Sequence, residues 1–126
     1  MSDDAKERVL CVEDNHDECE LIREILKSYE VVCVETIAQG KAMLKDGHFS
    51  LVIIDEHLPD GSGMEMCRRI RQDRADLPVI MISGDSNITT VEANAAGAQD
   101  FLSKSRPSFV DDLYVAAIQN ARSASA

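Results

Sequence analysis

Short apolar runs rich in β-branched residues recur along this sequence and constrain its fold more than any other feature. They end near residues 12, 34, 55, 82 and 103, and the clearest are residues 51–54 (LVII) and 79–82 (VIMI). The runs do not alternate apolar with polar residues, which is typical of strands buried on both faces of a parallel sheet. The intervals between their ends, 22, 21, 27 and 21 residues, each hold one strand, one helix and two short loops.

The segments between these runs predict helices. Apolar residues at helical spacing give the first helix one apolar face, formed by Leu21, Ile22, Ile25, Leu26 and Tyr29. Residues 36–39 (TIAQ) and 62–65 (SGME) have the form of a capping box, which predicts helix N-termini at these positions. Gly47 and Gly97 stand where helix C-caps belong.

The fourth and fifth helices are predicted from weaker patterns. The fourth is expected near residues 87–96, with an inward face formed by Ile88, Val91 and Ala95. The fifth is expected to start after Pro107 with Ser108 as its N-cap, and its inward face is expected to be formed by Val110, Leu113 and Ala117.

Five successive βα units predict a single α/β domain over residues 1–126, with its core at about 7–121. Right-handed crossovers favour a doubly wound, five-stranded parallel sheet of order 2-1-3-4-5 with helices on both faces. In that order the direction of winding switches between the first and third strands. A ligand site is therefore expected at the carboxyl ends of those two strands.

The formal net charge of −10 disfavours direct binding to nucleic acids or anionic membranes, because those partners need a basic surface. No apolar run approaches the roughly 18 residues of a membrane span. The acidic N-terminal residues 1–4 (MSDD) lack the basic and apolar regions of a signal peptide. We therefore expect a cytoplasmic protein with neither a nucleic acid nor a membrane as its partner.

Four cysteines are spaced too irregularly for a metal finger or a CxxC redox motif: Cys11, Cys19, Cys33 and Cys67. Because most of them have apolar neighbours, they are interpreted as buried reduced thiols that pack as small apolar side chains. A redox or metal-binding role is the minor alternative.

Polar residues follow the predicted strands where their carboxyl ends meet. Glu13 and Asp14 follow the first strand, Asp55 ends the third, and Ser83 and Lys104 lie at the ends of the fourth and fifth. Three carboxylates at one edge repel one another and need a cation or protons. Hard oxygen ligands of this kind suit Mg²⁺.

This set of groups predicts attack of a carboxylate on a phosphoryl group. The negative charge of the transition state is stabilised by a metal ion, an ammonium group and a hydroxyl group. Asp55 is central and is the candidate nucleophile, forming an aspartyl phosphate. Gly84, directly after Ser83, leaves room for a ligand close to the backbone.

These residues resemble the receiver domains of two-component response regulators, a superfamily of CheY-like, flavodoxin-like (βα)5 domains. The matching segments cover residues from about 7 to 121. They are Glu13-Asp14, Asp55 after residues 51–54, 58–64 (LPDGSGM), 79–84 (VIMISG) and 97–104 (GAQDFLSK).

The resemblance implies a role for each matching residue. Asp55 accepts a phosphoryl group from a phosphohistidine on a sensor histidine kinase or a histidine phosphotransfer protein. Glu13 and Asp14 hold Mg²⁺ with Asp55 and the backbone carbonyl of His57. Lys104 and Ser83 contact the phosphoryl group.

The resemblance also implies a switch and a downstream partner. On phosphorylation Ser83 moves toward the phosphoryl group, and an aromatic side chain at the position of Phe101 turns inward. The surface of the fourth helix, fifth strand and fifth helix then changes, and it binds a downstream protein or a second copy of the chain.

Two departures from the family pattern affect these expectations. Ser105 follows Lys104 where the family usually has proline, so the loop into the fifth helix is expected to differ. Phe101 replaces the more usual tyrosine and has no hydroxyl group, so an ordinary core role is the alternative to a switch role.

His57 and Asp85 flank the predicted site and are hypothesised to tune the lifetime of the phosphoryl group.

Three other functions remain open on the sequence. One is a receiver-shaped protein-binding module that is never phosphorylated. Another is a phosphatase or phosphotransferase with an aspartate nucleophile, although such enzymes often carry a second aspartate where this chain has His57. The weakest is a flavin carrier, because the first βα loop is acidic where a phosphate cradle is needed.

Overall fold

Residues 6–84 and 88–125 are described by a computed structural model of the protein. Within them, strands and helices follow one another in the order β1 (Arg8–Val12), α1 (His16–Ile25), β2 (Glu30–Val34), α2 (Ile37–Asp46), β3 (Leu51–Asp55), β4 (His57–Leu58), β5 (Gly61–Ser62), α3 (Gly63–Asp73), β6 (Val79–Ser83), α4 (Thr90–Ala96), β7 (Asp100–Ser103) and α5 (Phe109–Ser125).

The main sheet has five parallel strands in the order β2-β1-β3-β6-β7. Once the short strands β4 and β5 are set aside, this is the predicted order 2-1-3-4-5, so the predicted fold class is confirmed. The strand ends at residues 12, 34, 55, 83 and 103 agree with the ends of the apolar runs to within one residue. The switch point between β1 and β3 is therefore real.

β4 and β5 form a small antiparallel hairpin that the sequence did not predict. It pairs His57 with Ser62 and Leu58 with Gly61, between the end of β3 and the start of α3. The two strands have two residues each, too short for a recognisable hydrophobic pattern. This hairpin places the segment that follows Asp55 over the edge of the main sheet.

The core has two halves, one on each face of the sheet. Alternate strand residues such as Leu10, Val12 and Ile54 pack with α2, α3 and α4. Their neighbours, such as Val9, Cys11 and Ile53, pack with α1 and α5. Because helices cover both faces, each central strand carries buried apolar residues on both of its sides, which explains the absence of alternation in the sequence.

The predicted inward faces of the last two helices are partly wrong. In α4, Ala93 and Ala96 are buried, whereas Val91 is 77% exposed and Ala95 is exposed. The helix begins at Thr90 because Thr89 and Glu92 form a capping box, and this start sets which side faces the sheet.

The structure also corrects the predicted details of α5. Phe109, Leu113 and Ala117 are buried, and Val110 is exposed. The helix does begin directly after Ser108, but the Ser108 hydroxyl donates to the Asp112 carboxylate.

No helix among the described residues is long and apolar enough to cross a membrane.

Candidate functional site

The carboxyl ends of β1 and β3 bring three acidic side chains together. Val12 pairs with Ile54 across these strands, so Glu13 and Asp14 lie beside Asp55. One carboxylate oxygen from each of the three lies within 4.8 Å of those of the other two. Glu13 and Asp55 are buried, and Asp14 is exposed. The predicted acidic cluster is therefore present, and it is open to solvent on the Asp14 side.

Lys104 reaches this cluster from the other side. Its Nζ lies 3.0 Å from Glu13 Oε1 and 3.4 Å from Asp55 Oδ2. Its backbone N–H donates to the carbonyl of Ser83 at 2.9 Å, which fixes the end of β7 against the end of β6. Three carboxylates and one ammonium group leave two negative charges in excess at this edge.

Burial sets the electrostatics of Glu13. Burial raises the pKa of Glu13 to about 7, although the hydrogen bond from the Asn15 amide opposes this shift. The charge of Asp55 also raises the pKa of Glu13, whereas Lys104 lowers it. Burial alone lowers the pKa of Lys104, but the hydrogen bond to Glu13 and the charge of Asp55 outweigh it, and the net shift is upward. Lys104 is therefore held in its charged form against two carboxylates.

Glu13 already has a protein partner on each of its oxygens. Oε1 accepts from Lys104, and Oε2 accepts from the backbone N–H of Asn15 at 3.1 Å. Asp14 is the exposed member of the cluster. The donor set fits a hard divalent cation such as Mg²⁺, because clustered carboxylate oxygens with excess negative charge and open access to water are what that ion requires.

Glu56 holds the loop after Asp55, a role that the sequence analysis did not identify. Its carboxylate accepts from the Met64 N–H at 2.8 Å and from the Ser62 hydroxyl at 3.1 Å. Its backbone carbonyl accepts from the Gly63 N–H, and its own N–H donates to Ile82. These four bonds fix the backbone on the C-terminal side of Asp55 to both β6 and the start of α3.

Asp60 is a second residue that the sequence analysis missed. Its two carboxylate oxygens accept from the backbone N–H groups of Ile37 at 2.8 Å and Ala38 at 3.1 Å, at the start of α2. Those hydrogen bonds, Ile37 first, lower the pKa of Asp60. The partners lie 23 and 22 residues away in the chain, so no local pattern reveals them.

Ser83 and Gly84 lie where the sequence places them. Ser83 is fully buried at the end of β6, one residue beyond the partner of Asp55. A Cβ atom added to Gly84 meets no atom within 4 Å, so the space beside this backbone is open. Phe101 is half-buried and packs against the core on the α2–α3–α4 side.

The remaining predicted site residues are less constrained by the structure. His57 is exposed in β4. Asp85 lies outside the described residues. In the loop after Lys104, the hydroxyl groups of Ser103 and Ser105 are 2.9 Å apart, so Ser105 contacts the end of β7 in place of the usual proline.

Comparisons with known proteins agree with this geometry. The sequence profile described as the response regulator receiver domain matches residues 9–116. The cell cycle transcriptional regulator CtrA of Caulobacter vibrioides is 33% identical over 100 residues, which cover 77% of this chain and 43% of that protein. This chain therefore spans less than half the length of that regulator.

Solved structures show the same fold. A CheY-like response regulator receiver domain protein from Methanospirillum hungatei superposes with a TM-score of 0.85 at 25% identity, covering 96% of this chain and 98% of the other. The response regulator TrrA of Thermotoga maritima, solved in complex with Mg²⁺-BeF, has a TM-score of 0.80 at 27% identity, with coverages of 90% and 97%. The sheet order, the acidic cluster with its lysine, and these matches together place the chain in the response regulator receiver domain family.

Proposed function

We propose that Asp55 accepts a phosphoryl group from a phosphohistidine of a sensor histidine kinase or a histidine phosphotransfer protein. The observation that carries this proposal is the position of Asp55. Its carboxylate is buried, lies 3.4 Å from the Lys104 ammonium and shares a cluster with Glu13 and Asp14. Glu13 also lies beside Lys104 and the other acids, but both of its oxygens already accept hydrogen bonds, from Lys104 and from the Asn15 amide.

The chemistry follows from these neighbours. An Asp55 oxygen attacks phosphorus, an O–P bond forms, and the P–N bond to the donor histidine breaks. The Lys104 ammonium and the Ser83 hydroxyl stabilise the negative charge that develops on the phosphoryl oxygens. A bound Mg²⁺ supplies further neutralisation of that charge. Water later hydrolyses the mixed anhydride and restores Asp55.

We assign the cation to Asp14, Asp55 and the backbone carbonyl of His57, with Glu13 holding the cluster together. The two protein partners of Glu13 support this division, because its oxygens are already engaged by Lys104 and Asn15. The Thermotoga maritima structure with Mg²⁺-BeF supports the choice of metal.

Phosphorylation is proposed to switch the surface formed by α4, β7 and α5. The modification adds negative charge and acceptor oxygens beside Ser83, whose loop leads toward α4. Phe101 lies on β7 in the half-buried position from which an inward turn is available. The partner of this surface is proposed to be a downstream protein or a second copy of the chain, in the cytoplasm.

The test uses the intact protein, Mg²⁺ and a small phosphodonor such as acetyl phosphate. The expected result is the addition of one phosphoryl group by intact mass, its complete loss in Asp55→Asn, and its retention in Asp46→Asn, which removes an exposed carboxylate at the end of α2. No added phosphate on the parental protein would favour the alternative of a binding module that is never phosphorylated.

His57 is proposed to tune the lifetime of that phosphoryl group together with Asp85. It follows Asp55 by two residues and is exposed to solvent, on the side of the site from which water can approach the mixed anhydride. His57→Asn is expected to change the rate of phosphoryl loss, measured after removal of the donor. An unchanged rate would refute this role and leave the role of Asp55 intact.

A further inference from the structure

Three of the four cysteines meet in one place, on the side of the sheet covered by α1 and α5. Cys11 and Cys33 are directly paired across the parallel strands β1 and β2. Cys19, in α1, is buried and its thiol donates to the Glu13 carbonyl at 3.3 Å. The Cys11 thiol interacts with the thiols of both Cys19 and Cys33. All are free thiols, and Cys67 lies in the other half of the core.

We propose that Cys11, Cys19 and Cys33 form an oxidisable thiol cluster in which hydrogen peroxide closes a disulfide between Cys11 and Cys33. This modification site does not depend on the phosphoacceptor role of Asp55. The sequence left a redox role only as a minor alternative, because residues 11, 19 and 33 become neighbours only through the pairing of β1 with β2 and the packing of α1.

Strand geometry favours the Cys11–Cys33 bond. Neighbouring strands lie about 4.8 Å apart, which falls within the roughly 4.4–6.8 Å separation of Cα atoms in disulfides. Both side chains point to the face covered by α1 and α5, where they belong to the same half of the core. The two side chains therefore lie side by side on one face, and rotation about their side-chain bonds would bring the sulfur atoms together.

Exposure identifies the thiol that reacts first. Cys11 is fully buried and Cys19 nearly so, whereas Cys33 is half-buried and lies on β2, at the edge of the sheet. The hydrogen bond from Cys11 lowers the pKa of Cys33 to about 6, against the opposing effect of burial. A thiolate that solvent can reach is the species that attacks peroxide.

The reaction balances with peroxide as the only oxidant. The Cys33 thiolate attacks the peroxide O–O bond and becomes a sulfenic acid, while hydroxide leaves and takes up a proton to become water. The Cys11 sulfur then attacks the Cys33 sulfur. The S–S bond forms as the S–O bond breaks, and the leaving hydroxide departs with the Cys11 proton as a second water. Two thiols are oxidised to one disulfide, and one peroxide is reduced to two waters.

The test treats the folded, full chain with peroxide, then blocks remaining thiols under denaturing conditions and measures intact mass. We expect two of the four cysteines to escape alkylation, a peptide linking Cys11 to Cys33, and full reversal by dithiothreitol. Cys33→Ser is expected to abolish the crosslink. Cys67→Ser, which removes a buried thiol from the other half of the core, is expected to leave it unchanged.

Other outcomes overturn the proposal. Four alkylatable thiols after peroxide treatment, or a crosslink that persists in Cys33→Ser, would refute the site. A bond from Cys33 to Cys19 would refute the assigned partner, and Cys19→Ser tests this directly because it should retain the Cys11–Cys33 bond. Crosslinks to Cys67 would show that oxidation occurs in unfolded chains. Cys33 is the least buried of the three cysteines, so we expect the Cys33→Ser variant to keep the packing of the core and to remain folded.

Discussion

Two glycines beside the acidic cluster face very different surroundings. A Cβ atom at Gly63, the first residue of α3, would lie against the carbonyl oxygen of Asp55 and only 2.8 Å from Ile54 Cγ2. At Gly84 an added Cβ meets nothing within 4 Å. The close approach of α3 to the end of β3 therefore requires glycine at Gly63. The open space at Gly84 imposes no such requirement.

This contrast predicts different outcomes for the same substitution. Gly63→Ala is expected to lower the free energy of unfolding by about 2 kcal/mol or more, because rigid backbone must shift. Gly84→Ala is expected to change it by less than about 1 kcal/mol. Urea denaturation of both variants measures the difference, and equal stabilities would contradict the contact at Gly63.

At the residue scale, sequence reasoning found the residues of the acidic cluster and its neighbours, to which the proposed chemistry is assigned, and missed two residues that hold the surrounding loops. Asp55, Ser83 and Lys104 were identified because each stands at a strand end, and strand ends converge in a parallel sheet. Asp60 was missed because both of its partners are backbone N–H groups, and Glu56 was missed because one of its partners is the backbone N–H of Met64. Such a partner leaves no side-chain signature in the sequence.

At the scale of elements, Asp60 ties the β4–β5 hairpin to the start of α2. Its carboxylate accepts from two backbone N–H groups that lack partners within the helix. Asp60→Ala is therefore expected to lower the urea midpoint at pH 7. Asp46→Ala, at the other end of the same helix, is expected not to.

The pH dependence of this effect has a definite sign. Because the pKa of Asp60 is lowered in the folded protein, its contribution is present above the ordinary value of 3.8 and is lost as pH falls through the folded value. The difference in urea midpoint between the parental protein and Asp60→Ala should therefore narrow below about pH 3.8. A constant difference at all pH values would show that Asp60 acts by packing and not by its charge.

The helices whose faces were misjudged show where the sequence pattern is weak. The α4 segment (TVEANAA) is rich in alanine, so its burial does not follow the position of its largest apolar side chain, Val91. In α5 the adjacent apolar residues Phe109 and Val110 offer two alternative faces. The choice between them depends on the direction in which the helix leaves the loop, which only tertiary packing sets.

At the scale of the whole molecule, the acidic cluster opposes folding in the absence of a cation. When all three carboxylates are ionised, two uncompensated negative charges lie at one edge of a chain whose net charge is already −10. Asp14→Asn is expected to raise the free energy of unfolding by about 1 kcal/mol when a chelator is present, because it removes like-charge repulsion without disturbing the core.

A bound cation should reverse that order. At a Mg²⁺ concentration about 100 times its dissociation constant, the parental protein is expected to gain roughly 2.7 kcal/mol. Asp14→Asn should gain much less at the same concentration, because it lacks one of the proposed ligands. Thermal unfolding with a chelator and with Mg²⁺ gives both comparisons. An identical Mg²⁺ response in the two proteins would remove Asp14 from the site.

The topology was the most predictable property of the molecule. Non-alternating apolar runs require helices on both faces, and the handedness of the crossovers leaves few strand orders. The thiol cluster was not predictable, because it depends on the register of β1 against β2 and on the rotation of α1. Neither quantity is encoded in a single segment.

The Lys104–Glu13 ion pair joins residues 91 positions apart in the chain. Lys104 follows the last strand, β7, and Glu13 follows the first strand, β1. During synthesis on a ribosome, Asp55 and Glu13 emerge long before the ammonium group that balances them. A nascent chain therefore carries the acids without their lysine until β7 has left the exit tunnel and docked. The proposed phosphoacceptor site is therefore complete only when nearly the entire domain has been made, and unfinished or truncated polypeptides are expected to lack its activity.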